Sequence, residues 1–266
     1  MLSTKKILNK TKDLFLAIFF PVFCVGCGQE MPPGENWLCF KCSSTILPVN
    51  MQTCPTCNKI TLKGRYCLSC KKDKNLKGVI CTAYYEEGPI REMIHNFKYN
   101  GVTALAETLS ELMVIALAQN FKLQISNFKS NQNDQIFKNL NIKNSFKIEN
   151  LKLIISFVPL HFRRKAMRGY NQSEILARLI GQKTGLKVLD LLKKAKSTTR
   201  QAELSGTKRR KNLENAFRVK KGIDIKNKKI IIVDDVMTTG STLEECARVL
   251  KTAGAKEVWG LVIARG

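Results

Sequence analysis

Acidic residues are scarce in this chain. Its 266 residues hold 21 Asp and Glu against 45 Lys and Arg, a formal net charge of +24. Such a surface attracts polyanions, nucleic acid and phosphorylated substrates among them. Compositional drift is the other source of such a charge, because Lys, Asn and Ile are abundant together, as AT-rich coding produces. A run of bilayer length is also missing. The apolar stretch at 14–25 follows Lys5, Lys6, Lys10 and Lys12 and is too short to span. No small-x-small cleavage site follows it, and bulky Phe23 before Cys24 disfavours a lipid-attachment site. A helix docking on the cysteines that follow is expected, with a membrane-surface contact as the alternative. Two nucleotide fingerprints are absent as well. Without G-x-x-x-x-G-K-[ST] there is no Walker A loop, and without G-x-G-x-x-G no Rossmann fingerprint. The basic clusters at Arg163-Arg164-Lys165, Lys193-Lys194, Lys208-Arg209-Arg210-Lys211 and 226–229 lack the interleaved aromatics of a base-stacking platform.

Cysteine is plentiful. Eight of the ten form four C-x-x-C pairs: Cys24/Cys27, Cys39/Cys42, Cys54/Cys57 and Cys67/Cys70. Each pair sets two thiolates on one side of a metal, and a second pair completes a tetrahedron. Four pairs predict two structural Zn2+ sites. Sequential pairing gives a tandem zinc ribbon; interleaved pairing gives a cross-braced module, and the spacing admits both. Eight retained thiolates imply a reducing compartment, hence a cytoplasmic protein. Cys81 and Cys246 fall outside the pattern and are expected as buried core thiols.

The segment Ile230-Ile231-Ile232-Val233-Asp234-Asp235-Val236-Met237-Thr238-Thr239-Gly240-Ser241-Thr242 carries the chemistry. It reads as a buried strand, two carboxylates, a turn of glycine and hydroxyl residues, and then a helix with Leu243, Cys246, Ala247 and Leu250 at helical spacing. Backbone N–H groups converge at such a strand-to-helix turn, and the helix dipole favours an anion. Gly240 permits close approach and an unusual φ. The paired acids suit vicinal sugar hydroxyls or a bound Mg2+. Capping of the helix is the simpler explanation of Asp, Thr and Gly at this place, but it does not call for two adjacent acids. The pattern resembles the phosphoribosyl diphosphate (PRPP) motif of type I phosphoribosyltransferases.

Along the chain, residues 1–78 are expected to form the helix and double zinc ribbon, stabilised by metal because so small a module buries little apolar surface. Residues 79–266 alternate strands and helices. A strand is expected at 79–85, helices at 90–99 and 104–118, a strand at 153–158 ended by Pro159, then a loop. A helix follows that carries Ile175, Leu176, Leu179 and Ile180, then a short strand at 186–189, and a last strand at 258–264. Such alternation predicts an α/β fold with a parallel sheet and ligands at the strands' carboxyl ends. The polar stretch at about 119–150 reads as an insertion, either a surface excursion or a partly disordered segment. His95 and Lys98 have a plain reading on a solvated helix face. Gly169-Tyr170-Asn171 serves equally as a turn and helix cap.

Taken in order, these motifs resemble the ComF family of bacterial proteins, also called competence protein F. The residues that carry the likeness are the cysteine pairs, His95/Lys98/Tyr99/Gly101, 158–161 with Arg163-Arg164, 168–172, Gln201/Leu204/Ser205, Arg209/Asn212, Ala216-Phe217 and the acidic motif. The resemblance implies a type I phosphoribosyltransferase domain behind an N-terminal zinc ribbon. It implies a diphosphate loop at Pro159, Leu160 and His161, bordered by Arg163, Arg164 and Arg168, and a mobile loop containing Gln201 and Arg209. Asp234 and Asp235 would hold ribose hydroxyls and Mg2+, and Met237, Thr238, Thr239, Gly240, Ser241 and Thr242 the 5′-phosphate. It also implies a role in handling imported single-stranded DNA during competence, with other proteins of that machinery as partners. The alternative expectation is an active phosphoribosyltransferase on a small-molecule acceptor in nucleotide metabolism.

Overall fold

The computed structural model describes residues 21–32, 37–85, 88–121, 153–195 and 213–266. Residues 1–20, nearly all of the 119–150 insertion, and 196–212 with Gln201, Leu204, Ser205, Arg209 and Asn212 lie outside them. The described cysteine segment contributes a short helix, α1 (Phe40–Ser44), and a 3-10 turn at Leu62–Gly64. The rest runs β1 (Gly78–Tyr84), α2 (Ile90–Tyr99), α3 (Leu105–Phe121), β2 (Leu153–Phe157), α4 (Phe162–Arg168), α5 (Gln172–Thr184), β3 (Lys187–Val188), β4 (Leu192–Lys194), β5 (Phe217–Val219), β6 (Lys229–Met237), α6 (Ser241–Thr252) and β7 (Glu257–Arg265).

Five strands form one sheet in the order β1-β7-β6-β2-β3, and every pair in it is parallel. A separate antiparallel ribbon joins β4 to β5. The expected parallel α/β sheet is therefore present. From β2 the chain moves outward to β3, while from β6 it moves the other way to β7. The order reverses between β2 and β6, where doubly wound sheets open a crevice for ligand.

Successive residues of β6 serve two cores, as a doubly covered strand requires. Ile231 and Val233 pack in the layer of α2, α3 and α5 with Ile155, Phe157 and Trp259. Ile230 and Ile232 pack in the layer of α6 with Leu243, Leu250 and Phe217. The cysteine segment joins both layers: Cys24, Met31, Leu38 and Ile46 belong to the first, and Leu76 to the second, with Tyr66 packed against it. Its backbone also meets β1, through bridges of Pro48 to Ala83 and Arg65 to Gly78.

The stretch after Pro159 differs from the expected loop. His161 caps a helical stretch, α4, which ends at Gly169 with φ +79°. None of its residues except partly covered Arg164 and Arg168 is shielded from solvent, so no apolar periodicity marked it in advance. Cys246 is fully buried as expected, whereas Cys81 is only partly so and donates its S–H to the Ala83 carbonyl at 3.3 Å.

Candidate functional site

The two acids stand in the last turns of pleat of β6, still paired with β7: Asp234 lies opposite Val262 and Met237 opposite Arg265. The chain then turns through Thr238 and Thr239 to Gly240, whose φ of +72° starts α6. A Cβ on Gly240 would sit 3.3 Å from Met237 Sδ in a conformation that L side chains avoid. Thr239 and Ser241 hydroxyls share a hydrogen bond of 2.8 Å beside the first turn. The amides of that turn have no helical acceptor by construction, a geometry that suits an anion. Met237 itself is buried, so only its backbone belongs to the loop.

Asp234 accepts from the Ser173 hydroxyl at 2.9 Å and from the Asp235 amide at 3.0 Å. Burial, then the Asp235 charge, push its pKa up to about 7, against the pull of Ser173 and Lys98. Asp235 pairs with Lys98 at 2.9 Å, the two side chains 15% and 18% exposed. Burial opposes the Lys98 charge, but Asp235 holds its pKa above the ordinary lysine value. Lys98 is thus drawn out of the solvated face and onto the acidic pair, while His95, one turn earlier, stays exposed.

Gly169-Tyr170-Asn171 explains how. Asn171 caps α5, accepting from Ser173 N at 3.2 Å and donating to the Val158 carbonyl at 3.1 Å. The Tyr170 hydroxyl donates to the Phe97 carbonyl, and Gln172 Nε2 to the Lys98 carbonyl at 3.4 Å. The turn caps α5, and through it Ser173 and Lys98 converge on Asp234 and Asp235.

At the end of β2, Pro159 and His161 are buried and Leu160 is half-buried. His161 is 8% exposed, and its Nδ1 has no hydrogen-bond partner among the described residues. Arg164 is partly covered, and its charge, after burial, helps depress Lys194 of β4 to about 8. Lys194 also feels Asp234, so a cation missed as a site residue stands near the acids. Arg163 and Arg168 lie over aromatic rings, Phe162 at 5.8 Å and Tyr99 at 5.1 Å. Both rings are exposed, 69% and 63%. Phe162 adjoins its arginine in sequence, whereas Tyr99 is supplied in space by a helix far away in the chain.

The cysteines settle into two tetrads, Cys24/Cys27/Cys39/Cys42 and Cys54/Cys57/Cys67/Cys70, each with its sulfurs within 4.8 Å of one another. Pairing is sequential. Cys27 and Cys39 sulfurs stand 3.7 Å apart, Cys57 and Cys67 3.6 Å. A tetrahedron with metal–sulfur bonds of about 2.3 Å has edges near 3.8 Å, so both sets fit a tetrahedral thiophilic ion. Amides point at the sulfurs: Cys39 N lies 3.3 Å from Cys24 Sγ, and Cys42 N 3.4 Å from Cys39 Sγ. Burial raises the Cys24 pKa, but amide donors outweigh it and bring the thiol down to about 6. The two knuckles repeat each other. Gly28 and Asn58 take positive φ at equivalent places, and bridges Phe23 to Glu30 and Thr53 to Ile60 close each loop.

The second tetrad lies beside the loop of β6. A cleft of about 450 Å³ runs between them, lined by Thr56, Tyr66 and Asn75 on one side and Thr238, Ser241 and Glu244 on the other. No sequence signal announced this juxtaposition.

Comparison with known proteins agrees with these features. Residues 166–265 match the phosphoribosyl transferase domain. Competence protein F of Haemophilus influenzae is 29% identical over 255 residues, 92% of this chain and 99% of that protein. Competence protein ComFC of Streptococcus pneumoniae is 27% identical over 254 residues, 88% of this chain and 96% of the other. DNA utilization protein YhgH of Escherichia coli O157:H7 is 28% identical, over 91% and 96% of the two chains. A fainter likeness, at 19% identity and a TM-score of 0.33, relates 59% of this chain to 26% of the allosteric regulatory enzyme of purine biosynthesis. The chain is a homologue of competence protein F, ComFC and YhgH, and it contains a phosphoribosyl transferase domain.

Proposed function

We propose that this protein binds PRPP, as its Mg2+ complex, in the crevice between β2 and β6, and acts in the cytoplasm on imported single-stranded DNA during competence. One observation carries the ligand: the Asp234–Asp235 pair at a strand end, running through the left-handed Gly240 into the first turn of α6. Asp234 and Asp235 take the ribose hydroxyls, the amides and hydroxyls of 238–242 take the 5′-phosphate, and the diphosphate is assigned to the 159–161 loop, where His161 Nδ1 has no partner among the described residues. Hard carboxylate oxygens fit Mg2+, and Lys98 shares their charge until it arrives. The Arg164 and Lys194 cations supply further attraction for a polyanion. The two cysteine tetrads hold zinc. Elemental analysis of protein purified under reducing conditions is expected to give two zinc ions per chain; four disulfides with no metal would reject it.

The DNA reading is supported by the relatives' names, by the charge of +24 and by the exposed rings of Tyr99 and Phe162 under arginines. Base stacking on such rings is sequence-tolerant, about 1–3 kcal/mol per base. Affinity for single-stranded DNA is expected to fall steeply with added salt, as counterions are released on binding. Tyr99→Ala with Phe162→Ala is expected to weaken binding tenfold or more at fixed salt. Salt-insensitive binding, or no binding at low salt, contradicts it.

Phosphoribosyl transfer to a small acceptor is the second reading, and the matched transferase domain favours it. In such a reaction bound Mg2+ neutralises charge on the departing diphosphate. The protein's own part is to fix the ribose through the acid pair and to offer donors to the leaving group. Isothermal titration with PRPP, with and without Mg2+, and then with single-stranded DNA separates the readings. PRPP binding without diphosphate release in the presence of candidate acceptors favours the first. Diphosphate release favours the second.

A further inference from the structure

Glu244 lies in the first turn of α6, three residues after Ser241, on the wall of the cleft beside the phosphate loop. A carboxylate there favours the helix dipole but opposes a phosphate held by the same turn. In this structure it is turned to the second cysteine tetrad. Its Oε1 accepts from Asn75 N and from Asn75 Nδ2 at 3.0 Å, and its Oε2 from the Tyr66 hydroxyl at 3.4 Å. Tyr66 adjoins the ligand Cys67, and Asn75 follows the ligand Cys70. The tetrad is itself clamped to the sheet end by Arg265, which donates to the Cys54 carbonyl at 3.2 Å and the Pro55 carbonyl at 2.9 Å. Gly64 and Gly78 let the same segment approach β1 more closely than a Cβ would allow: one built on Gly64 would lie 2.0 Å from the Val79 carbonyl oxygen.

We infer that the second cysteine tetrad, holding its metal, is a working part of the phosphoribosyl site: it places Tyr66 and Asn75, which draw the Glu244 carboxylate away from the bound phosphate and close the cleft over it. The inference rests on the PRPP reading above. Tyr66 and Asn75 are positioning residues, since they act through Glu244. The segment from Cys54 to Cys70 lends little apolar surface to the core, so its shape depends on the metal. Without the metal the three donors leave Glu244, whose charge then faces the phosphate. Ligand affinity therefore depends on the metal state of a site that does not touch the ligand's reacting atoms.

Calorimetric titration of the full, metal-loaded chain with PRPP and with ribose 5-phosphate tests this. Tyr66→Phe combined with Asn75→Ala should retain two metal ions and lose about tenfold in affinity for both ligands. Adding Glu244→Gln should recover most of that loss, because the amide no longer repels phosphate. Cys67→Ser should lose one metal ion and at least as much affinity, again partly restored by Glu244→Gln. Wild-type affinity in the Tyr66/Asn75 variant, or a loss that Glu244→Gln leaves unchanged, overturns the inference while sparing the site. Failure of the unaltered protein to bind either ligand removes the site and the inference together.

Discussion

Replacing Asp234 and Asp235 together by asparagine is expected to leave the protein folded and to weaken PRPP binding by about two orders of magnitude or more. Hydrogen bonds to charged groups contribute roughly 1.5–3 kcal/mol each, so loss of two gives roughly 10²- to 10⁴-fold. The amides are nearly isosteric with the acids. Asn at 234 can still accept from Ser173, and Asn at 235 from Lys98. What they lack is the negative charge that Mg2+ and the ribose hydroxyls call on. If the acids served only to hold Ser173 and Lys98 in place, asparagine would replace them almost without effect, because its carbonyl oxygen accepts the same bonds. Circular dichroism and thermal melting verify the fold, and titration with Mg2+ and PRPP reads the effect. Wild-type affinity in the folded variant would leave the pair only its structural bonds to Ser173 and Lys98.

The second large effect is on pH dependence. Asp234 has its pKa raised to about 7 in the folded protein. For an acid raised in this way, folding is favoured by protonation. The contribution to stability is full below the ordinary carboxylate value and is lost as pH climbs from there to about 7. Ligand binding runs the opposite way, since the bound Mg2+ complex needs the ionised pair. Affinity for Mg2+-PRPP should therefore climb up to tenfold per unit between about pH 5 and 7 and level off above. Lys98 pulls the Asp234 pKa down. Lys98→Met should displace the whole profile to higher pH, and titrations from pH 5 to 9 measure the displacement. An unchanged profile in that variant would mean that Lys98 and the acid pair are not coupled in solution.

The strand of the acidic motif was legible as an unbroken apolar run buried on both faces, and its helix by an apolar period buried on one. So was the tetrahedral chemistry of the C-x-x-C pairs. Their partnership was not, because sequential and interleaved pairings have the same spacing; only the folded knuckles distinguish them. Helix α4 escaped because it buries no residue and so has no apolar period. Lys98 could be read as a surface lysine since its partner, Asp235, is far away in sequence. The contact depends on the Tyr170 and Gln172 bonds to the end of α2, and these are decided by tertiary packing. Glu244 likewise carries no sign of its partners Tyr66 and Asn75, which lie 169 or more positions earlier. Long-range polar pairs of this kind leave no local pattern, and here they build the surroundings of the site.

The most direct test of the central claim follows the backbone amides of the loop itself. Amide NMR spectra of the metal-loaded chain, titrated with ribose 5-phosphate, should show the largest shifts at Thr238, Thr239, Gly240, Ser241 and Thr242, with smaller ones at Asp234 and Asp235. Saturating shifts confined to α4 and the exposed basic surface, with the loop amides unmoved, would contradict the account.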